Sequence, residues 1–213
     1  MENEKRVKRE RRFWRRFAHR YDWFMRSQIE ESYRILTAKI LDEVKGGDSV
    51  VEVASGTGLI ALEVAEKAAE VEAVDITPEM VAIAEKKAKE RKIENVRFSV
   101  EDAYALPFED RSFDVVICSN ALHNMTEPKR ALSEMRRVLK DTGKLMAPTY
   151  CHGEGLKSRI LSRIMSLSGF PGYHRFTVEA LSGLIGESGF EIEKLEIIED
   201  RIPLAFIVGR PGG

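Results

Sequence analysis

The sequence predicts an α/β fold built on an open, mostly parallel sheet, and four observations predict it. Val50, Val51 and Val53 form a β-branched run suited to a strand buried on both faces. That run passes through Gly56-Thr57-Gly58 into apolar residues at helical spacing, Leu59, Leu62, Val64 and Ala65. A second strand, 71–76, follows at once and carries an acid, Asp75, at its end. Finally, two closely connected strands, 190–198 and 205–209, are joined through Pro203 near the end of the chain, which suits an antiparallel edge.

Taken in order, the chain opens on a basic helix. Phe13, Phe17, Tyr21 and Phe24 recur at i, i+4, i+8 and i+11, an aromatic stripe on a segment otherwise rich in arginine. A second helix, 27–44, places Ile29, Tyr33, Leu36, Ile40, Leu41 and Val44 on one side, and Gly46-Gly47 ends it. After the strand at 71–76, Thr77-Pro78 reads as an N-cap with proline at the first helical position. That helix carries Met80, Val81, Ile83 and Ala84 and runs to about Arg91. A third strand, 96–100, leads to Glu101-Asp102-Ala103, and a fourth is centred on 113–117. Ser119 to Asn124 forms a loop, and a helix opens at Thr126-Glu127-Pro128. Asp141-Thr142-Gly143 reads as a turn into a fifth strand, 144–149. Glycines at 153, 155, 169 and 172 bracket an insertion at about 152–176, with a basic-apolar helix through Ile160, Ile164 and Leu167. Thr177 caps the next helix, which ends at Gly189.

The glycine turn is where a backbone can approach a ligand closely, since glycine has no Cβ and reaches positive φ cheaply. Asp75 lies 17 positions after Gly58, near the spacing at which a nucleotide-binding βαβ unit places an acid on ribose hydroxyls. Two cofactors compete at this point. Gly56-x-Gly58-x-x-Ala61 satisfies the dinucleotide fingerprint and admits an NAD(P)-dependent oxidoreductase. The other reading is S-adenosylmethionine. Glu52, Ala54-Ser55-Gly56-Thr57-Gly58 resembles the first motif of class I methyltransferases, with Ala54 where that motif has its first glycine.

Three later motifs, in the same order and spacing, extend the resemblance: Asp102-Ala103, Leu106-Pro107-Phe108, and Phe113-Asp114-Val115-Val116. From about Phe13 onward the chain resembles the class I S-adenosylmethionine-dependent methyltransferases, close to the ubiquinone/menaquinone-biosynthesis type. The resemblance implies a three-layer Rossmann-like fold, a seven-stranded mostly parallel sheet with an antiparallel edge strand. It also implies an N-terminal helical lid at 1–45 on a core at 46–213, with the 152–176 insertion covering the substrate. The stretch Phe17-Ala18-His19-Arg20-Tyr21-Asp22 partly matches the family's entry motif, whose tyrosine closes over the cofactor, and Tyr21 inherits that role.

In an open parallel sheet the ligand lies beyond the carboxyl ends of the strands. There the Gly56–Gly58 backbone would receive the methionine part and ribose, and Asp75 would accept ribose hydroxyls. Ile76 and Met80 would flank adenine, Asp102 would accept from its amino group, and the Ala103 amide would donate to a ring nitrogen. Glu52 and the carbonyls of Ser119, Asn120 and Ala121 suit the cofactor's ammonium group. A base is needed only where the accepting atom carries a proton of high pKa, and His123, Tyr150 and His152 are the candidates. His174 and Arg175 precede the Thr177 cap and read as loop contacts.

Length and composition bound the rest. A chain of 213 residues fits one domain with a full core. No apolar run reaches the ~20 residues needed to span a membrane, and no signal segment opens the chain, so cytoplasmic residence is expected. No His/Cys spacing matches a metal site, and Cys118 and Cys151 read as buried strand cysteines. Through Arg26 there are ten basic and four acidic residues, a charge of +6 against −7 for the remainder. That basic arm reads foremost as a lid packing its aromatic face on the core, with a transient membrane-surface contact or a nucleic-acid patch as alternatives. The function expected is S-adenosylmethionine-dependent methyl transfer to a small molecule, leaving S-adenosylhomocysteine. A non-catalytic cofactor-binding protein acting through its basic arm is the alternative from another class.

Overall fold

A computed structural model describes residues 2–28, 30–155, 163 and 172–212. The expected helix through Ile160, Ile164 and Leu167 lies outside them, as does most of the 152–176 insertion. The chain forms two compact units, Met1–Ala103 and Tyr104–Gly213.

The first unit begins with two helices, α1 (Glu2–Gln28) and α2 (Glu30–Glu43). It continues β1 (Ser49–Val53), α3 (Leu59–Ala65), β2 (Glu70–Asp75), α4 (Pro78–Arg91) and β3 (Val96–Val100). The strands are parallel, β2 lying between β1 and β3, with Val51 opposite Glu72 and Ala73 opposite Phe98. Val50, Val51 and Val53 are fully enclosed, as are Leu36 and Ile40, which anchor α2. Each such side chain contributes about 1.5–3 kcal/mol through burial. Lys92 ends α4 in the left-handed conformation.

The second unit carries β4 (Phe113–Ile117), a 3₁₀ turn (Leu122–Asn124), α5 (Pro128–Val138), β5 (Leu139–Met146), β6 (Thr149–Tyr150), α6 (Val178–Glu187), β7 (Phe190–Ile198) and β8 (Leu204–Pro211). β4 and β5 are parallel, whereas β8 runs antiparallel to β5, β6 and β7. The closing pair of strands is therefore antiparallel, as the short connection through Pro203 predicts. Thr177 caps α6 as expected, its hydroxyl accepting from the Ala180 amide at 3.1 Å.

Two details differ from the sequence reading. Asp141-Thr142-Gly143 is not a turn ahead of the fifth strand. It lies inside β5, which starts at Leu139 and carries a register shift between Phe113 and Val115 of its partner. The shift absorbs the extra residues, and a Cβ on Gly143 would meet Leu139 Cδ1 at 2.5 Å and the Asp114 carbonyl at 2.8 Å. The fifth strand also breaks at Pro148, which has no amide to donate, so Thr149–Tyr150 pairs with β8 as a strand of its own.

Candidate active site

In the first unit the site is a turn held by a carboxylate. Between β1 and α3 alternate residues adopt left-handed φ: Ala54 (60°), Gly56 (55°) and Gly58 (73°). Gly58 is doubly required, because a Cβ there would lie 2.8 Å from the Phe98 ring and 3.0 Å from Ala84 Cβ. Gly56 faces open space, the nearest atom to a Cβ being Tyr21 Cε1 at 4.0 Å. Its glycine therefore serves the backbone angle and leaves room for a ligand. Ala54 adopts the same angle with a side chain, at a cost of about 1–2 kcal/mol.

Asp75, at the end of β2, fastens this turn. One carboxylate oxygen accepts from the Gly56 amide at 2.9 Å and the other from the Thr77 amide at 2.8 Å. Burial pushes its pKa up, and those two amides oppose the shift. The sequence reading gave Asp75 only ribose to hold; each oxygen still has a second lone pair for a hydroxyl. Glu52, one strand over, is enclosed, and its Oε2 has no hydrogen-bond partner among the described residues. Burial pushes its pKa up to about 8; the Ala61 amide opposes this and Asp75 adds to it. The Ser55 hydroxyl is likewise buried and unpartnered. A buried acid and hydroxyl without partners, beside an open glycine, fit a ligand that brings an ammonium group and hydroxyls.

α1 meets the same turn through Asp22. Thr57 donates to Asp22 at 2.5 Å, Lys87 donates to the Thr57 carbonyl at 2.9 Å, and Lys87 and Asp22 form an ion pair. Phe13 and Tyr21 each contact the Phe17 ring, and Trp14 contacts all three. The side chain of Phe24 lies outside the described residues. Arg6 pairs with both Glu10 and Asp102. Asp102, expected to meet adenine, thus already holds a cation, and the 96 positions separating it from Arg6 hid that from sequence reasoning. Of the two apolar residues expected beside adenine, Met80 is wholly buried and Ile76 half-buried; Ala103, expected to donate to the ring, is half-buried too.

The second unit holds Ser119, Asn120, Ala121 and the three candidate bases. Asn120 adopts a left-handed φ of 53° as its amide donates to the Pro148 carbonyl at 2.8 Å, and its Oδ1 is buried without a partner among the described residues. His123, on the 3₁₀ turn after β4, and His152, just past β6, are both buried with ring centroids 5.0 Å apart. A third imidazole joins them, one that sequence reading took for a loop contact. His174 donates its amide to the His123 carbonyl at 3.1 Å, stacks on Phe176 at 5.3 Å, and buries an Nε2 with no partner among the described residues. Gly153 lets that segment approach: a Cβ there would sit 2.6 Å from the Arg175 carbonyl.

Burial lowers the pKa of His123 to about 3, with His152 and His174 adding to the shift. Burial and then Arg175 lower that of His152 to about 4. Both imidazoles are neutral at pH 7, and pKa values this far below 7 leave them weak bases unless a neighbouring negative charge raises them. Tyr150 is half-buried on β6. Cys118 and Cys151 are enclosed, as expected, and burial pushes the Cys151 thiol up to about 11, which leaves it a poor nucleophile. Among the described residues no group of three or more His, Cys, Asp or Glu could hold a metal ion.

Comparison with known proteins agrees with this geometry. Residues 51–147 match the model of a methyltransferase domain family. The chain is 32% identical over 188 residues to the demethylmenaquinone methyltransferase of Thermus thermophilus, covering 78% of this chain and 84% of that protein. It is 41% identical over 106 residues to the enzyme of the same name from Renibacterium salmoninarum, covering 50% of this chain and 43% of that one. Against several other curated relatives the match spans 41% to 58% of their length. Among solved structures, an S-adenosylmethionine-dependent methyltransferase from Methanosarcina mazei superposes with a TM-score of 0.69 at 25% identity, covering 81% of this chain and 96% of that one. These matches share the mixed α/β Rossmann-like architecture, mostly parallel with an antiparallel edge. The turn, the strand-end acids and the relatives together make the chain a member of the class I S-adenosylmethionine-dependent methyltransferases, of the ubiquinone/menaquinone-biosynthesis type.

Proposed function

We propose that this methyltransferase acts on a small-molecule acceptor, with cofactor held by the first unit and the acceptor's proton taken in the second. The carrying observation is the unpartnered, buried Glu52 beside the open Gly56 turn. The cofactor, when bound, supplies a sulfonium whose methyl is displaced in line. Positioning contributes much of the rate in such a step, up to about 7–11 kcal/mol where reacting atoms are well aligned. Glu52, buried and unpartnered among the described residues, receives the ammonium group. Asp75 offers its free lone pairs to ribose, Ile76 and Met80 flank adenine, and Ala103 donates to its ring. Asp102 accepts the adenine amino group once Arg6 gives way. The 1–45 segment is the lid, with Tyr21 resting over Gly56.

For the proton, the His123–His152 pair is favoured over Tyr150. The imidazoles are neutral at pH 7 and have a ring lone pair to offer, whereas a phenol must first lose its own proton. An acceptor that becomes anionic as it loses its proton raises the imidazole pKa and so completes the transfer. The cytoplasm remains the expected compartment on the sequence reading, and among the described residues no helix is long and apolar enough to cross a membrane.

Glu52 supplies the test. Its proton is held at pH 7, and an arriving ammonium group favours the carboxylate, so binding should release close to one proton. Calorimetric titration with S-adenosylhomocysteine in buffers of differing ionisation enthalpy measures that release. Release in wild type and its loss in Glu52→Gln are expected, with no comparable binding of NAD. Equal release from both proteins would remove Glu52 from the site.

A further inference from the structure

The outward face of α1 has chemistry that neither the cofactor site nor the acceptor site uses. At 100° per residue, Lys8, Arg12, Arg15, Arg16, His19, Arg20 and Trp23 fall within an arc of about 140°. Each of these side chains is exposed, and Trp23 is 69% exposed. The opposite side of the helix is committed to its own unit. Ala18 and Met25 are buried, the Phe13–Phe17–Tyr21 rings pack together, and Arg6 and Asp22 are tied to Asp102 and Lys87. Of the segment's acids, the two with described side chains are engaged elsewhere. Glu10 is buried against Arg6, and Asp22 is engaged by Lys87 and Thr57. None of the five outward cations makes an ion pair among the described residues.

We propose that this face docks the protein on an anionic lipid bilayer. Five cations spread along about 18 Å of one helix side meet a plane of headgroups simultaneously, each adding to the attraction near the surface. The remainder of the chain carries −7, so a negatively charged surface attracts this face and repels the rest, which fixes the orientation. Trp23 sits within the cationic arc, and an indole has the apolar body and polar N–H that suit the headgroup boundary. A nucleic-acid duplex is the poorer fit. Its groove presents phosphates on both sides of an inserted helix, while only one side of α1 is available.

The proposal goes beyond the methyltransferase reading and is tested without an acceptor. The probes are vesicles of phosphatidylcholine alone and of phosphatidylcholine with phosphatidylglycerol, with an RNA duplex, single-stranded RNA and inorganic phosphate as competitors. Wild type should co-float with the anionic vesicles only, and release in about 0.5 M salt, where the Debye length is a few Å. Changing Lys8, Arg12, Arg15, Arg16 and Arg20 to glutamine should weaken vesicle binding at least about a hundredfold. Affinity for S-adenosylhomocysteine should stay unchanged in that variant, which keeps this result separate from the cofactor reading. In a Trp14→Phe background, Trp23 emission should shift to the blue on anionic vesicles. Absence of wild-type flotation, equal flotation of the glutamine variant, no Trp23 shift, or displacement by RNA at lower concentration than by vesicles would each overturn the proposal.

Discussion

Replacing Asp75 by asparagine separates the brace that this carboxylate forms from the ribose contact proposed for it. Its oxygens accept from the Gly56 and Thr77 amides at 2.9 and 2.8 Å. Asparagine keeps one acceptor oxygen and presents an NH₂ to the other amide, which is left unsatisfied. Losing a hydrogen bond to a charged group costs about 1.5–3 kcal/mol. Part of that is returned, because burial penalises the charged form of Asp75 and the amide side chain carries no charge. A net loss of about 1–2 kcal/mol follows, or roughly 2–8 °C in melting temperature for a chain of this length. Cofactor affinity should fall as well, by about tenfold to a hundredfold. Urea unfolding of the cofactor-free protein reads the first effect, and calorimetry with S-adenosylhomocysteine the second. An unchanged unfolding midpoint would refute the brace, and unchanged affinity would refute the ribose role.

Two further outcomes follow from the same turn and from the buried acid and histidines. Ala54→Gly removes the left-handed strain at φ 60° and should raise stability by up to about 1 kcal/mol, after the entropic cost of glycine is subtracted; a lower unfolding midpoint would contradict this. Stability should also peak near pH 6.5. Folded Glu52 keeps its proton to about pH 8, whereas an unfolded glutamate loses it near 4.5, so its contribution is lost as pH rises across that window. Folded His123 and His152 stay neutral down to about 3 and 4, whereas the unfolded imidazoles take protons below 6.5, so theirs is lost as pH falls. Between pH 4.5 and 6.5 the two histidines outweigh the glutamate by one proton, which gives about 1.4 kcal/mol per pH unit on either side of the peak. Unfolding measured from pH 5 to 8.5 should show this, and Glu52→Gln should flatten the alkaline side; a profile that never turns over would exclude the assignment.

What could be read from the chain alone was what is written locally. The valine run, the glycine turn and Asp75 all lie within 27 positions, and period and spacing specify them. The antiparallel close was legible because its connection is too short for a crossover. Two features were invisible for a common reason, namely contact between distant segments. His174 reaches His123 from beyond α5, β5, β6 and the insertion, and Arg6 reaches Asp102 across three strands and three helices. The bulge in β5 was misread because Asp-Thr-Gly is turn chemistry, and only packing against Leu139 and Asp114 explains it as strand.

The Arg6–Asp102 pair makes the empty protein a competitor of its own ligand. Where Asp102 meets adenine, every association event waits for a guanidinium to leave, and the measured dissociation constant is the intrinsic one divided by the fraction of molecules in which it has left. Two consequences separate this from a passive opening. Added salt weakens the internal pair and so offsets part of its usual penalty on ligand capture. A bilayer that draws the outer side of α1 toward itself acts on the same helix that carries Arg6, so the lipid surface and the nucleoside end of the cofactor would report on one another thermodynamically, each altering the other's affinity by the same factor.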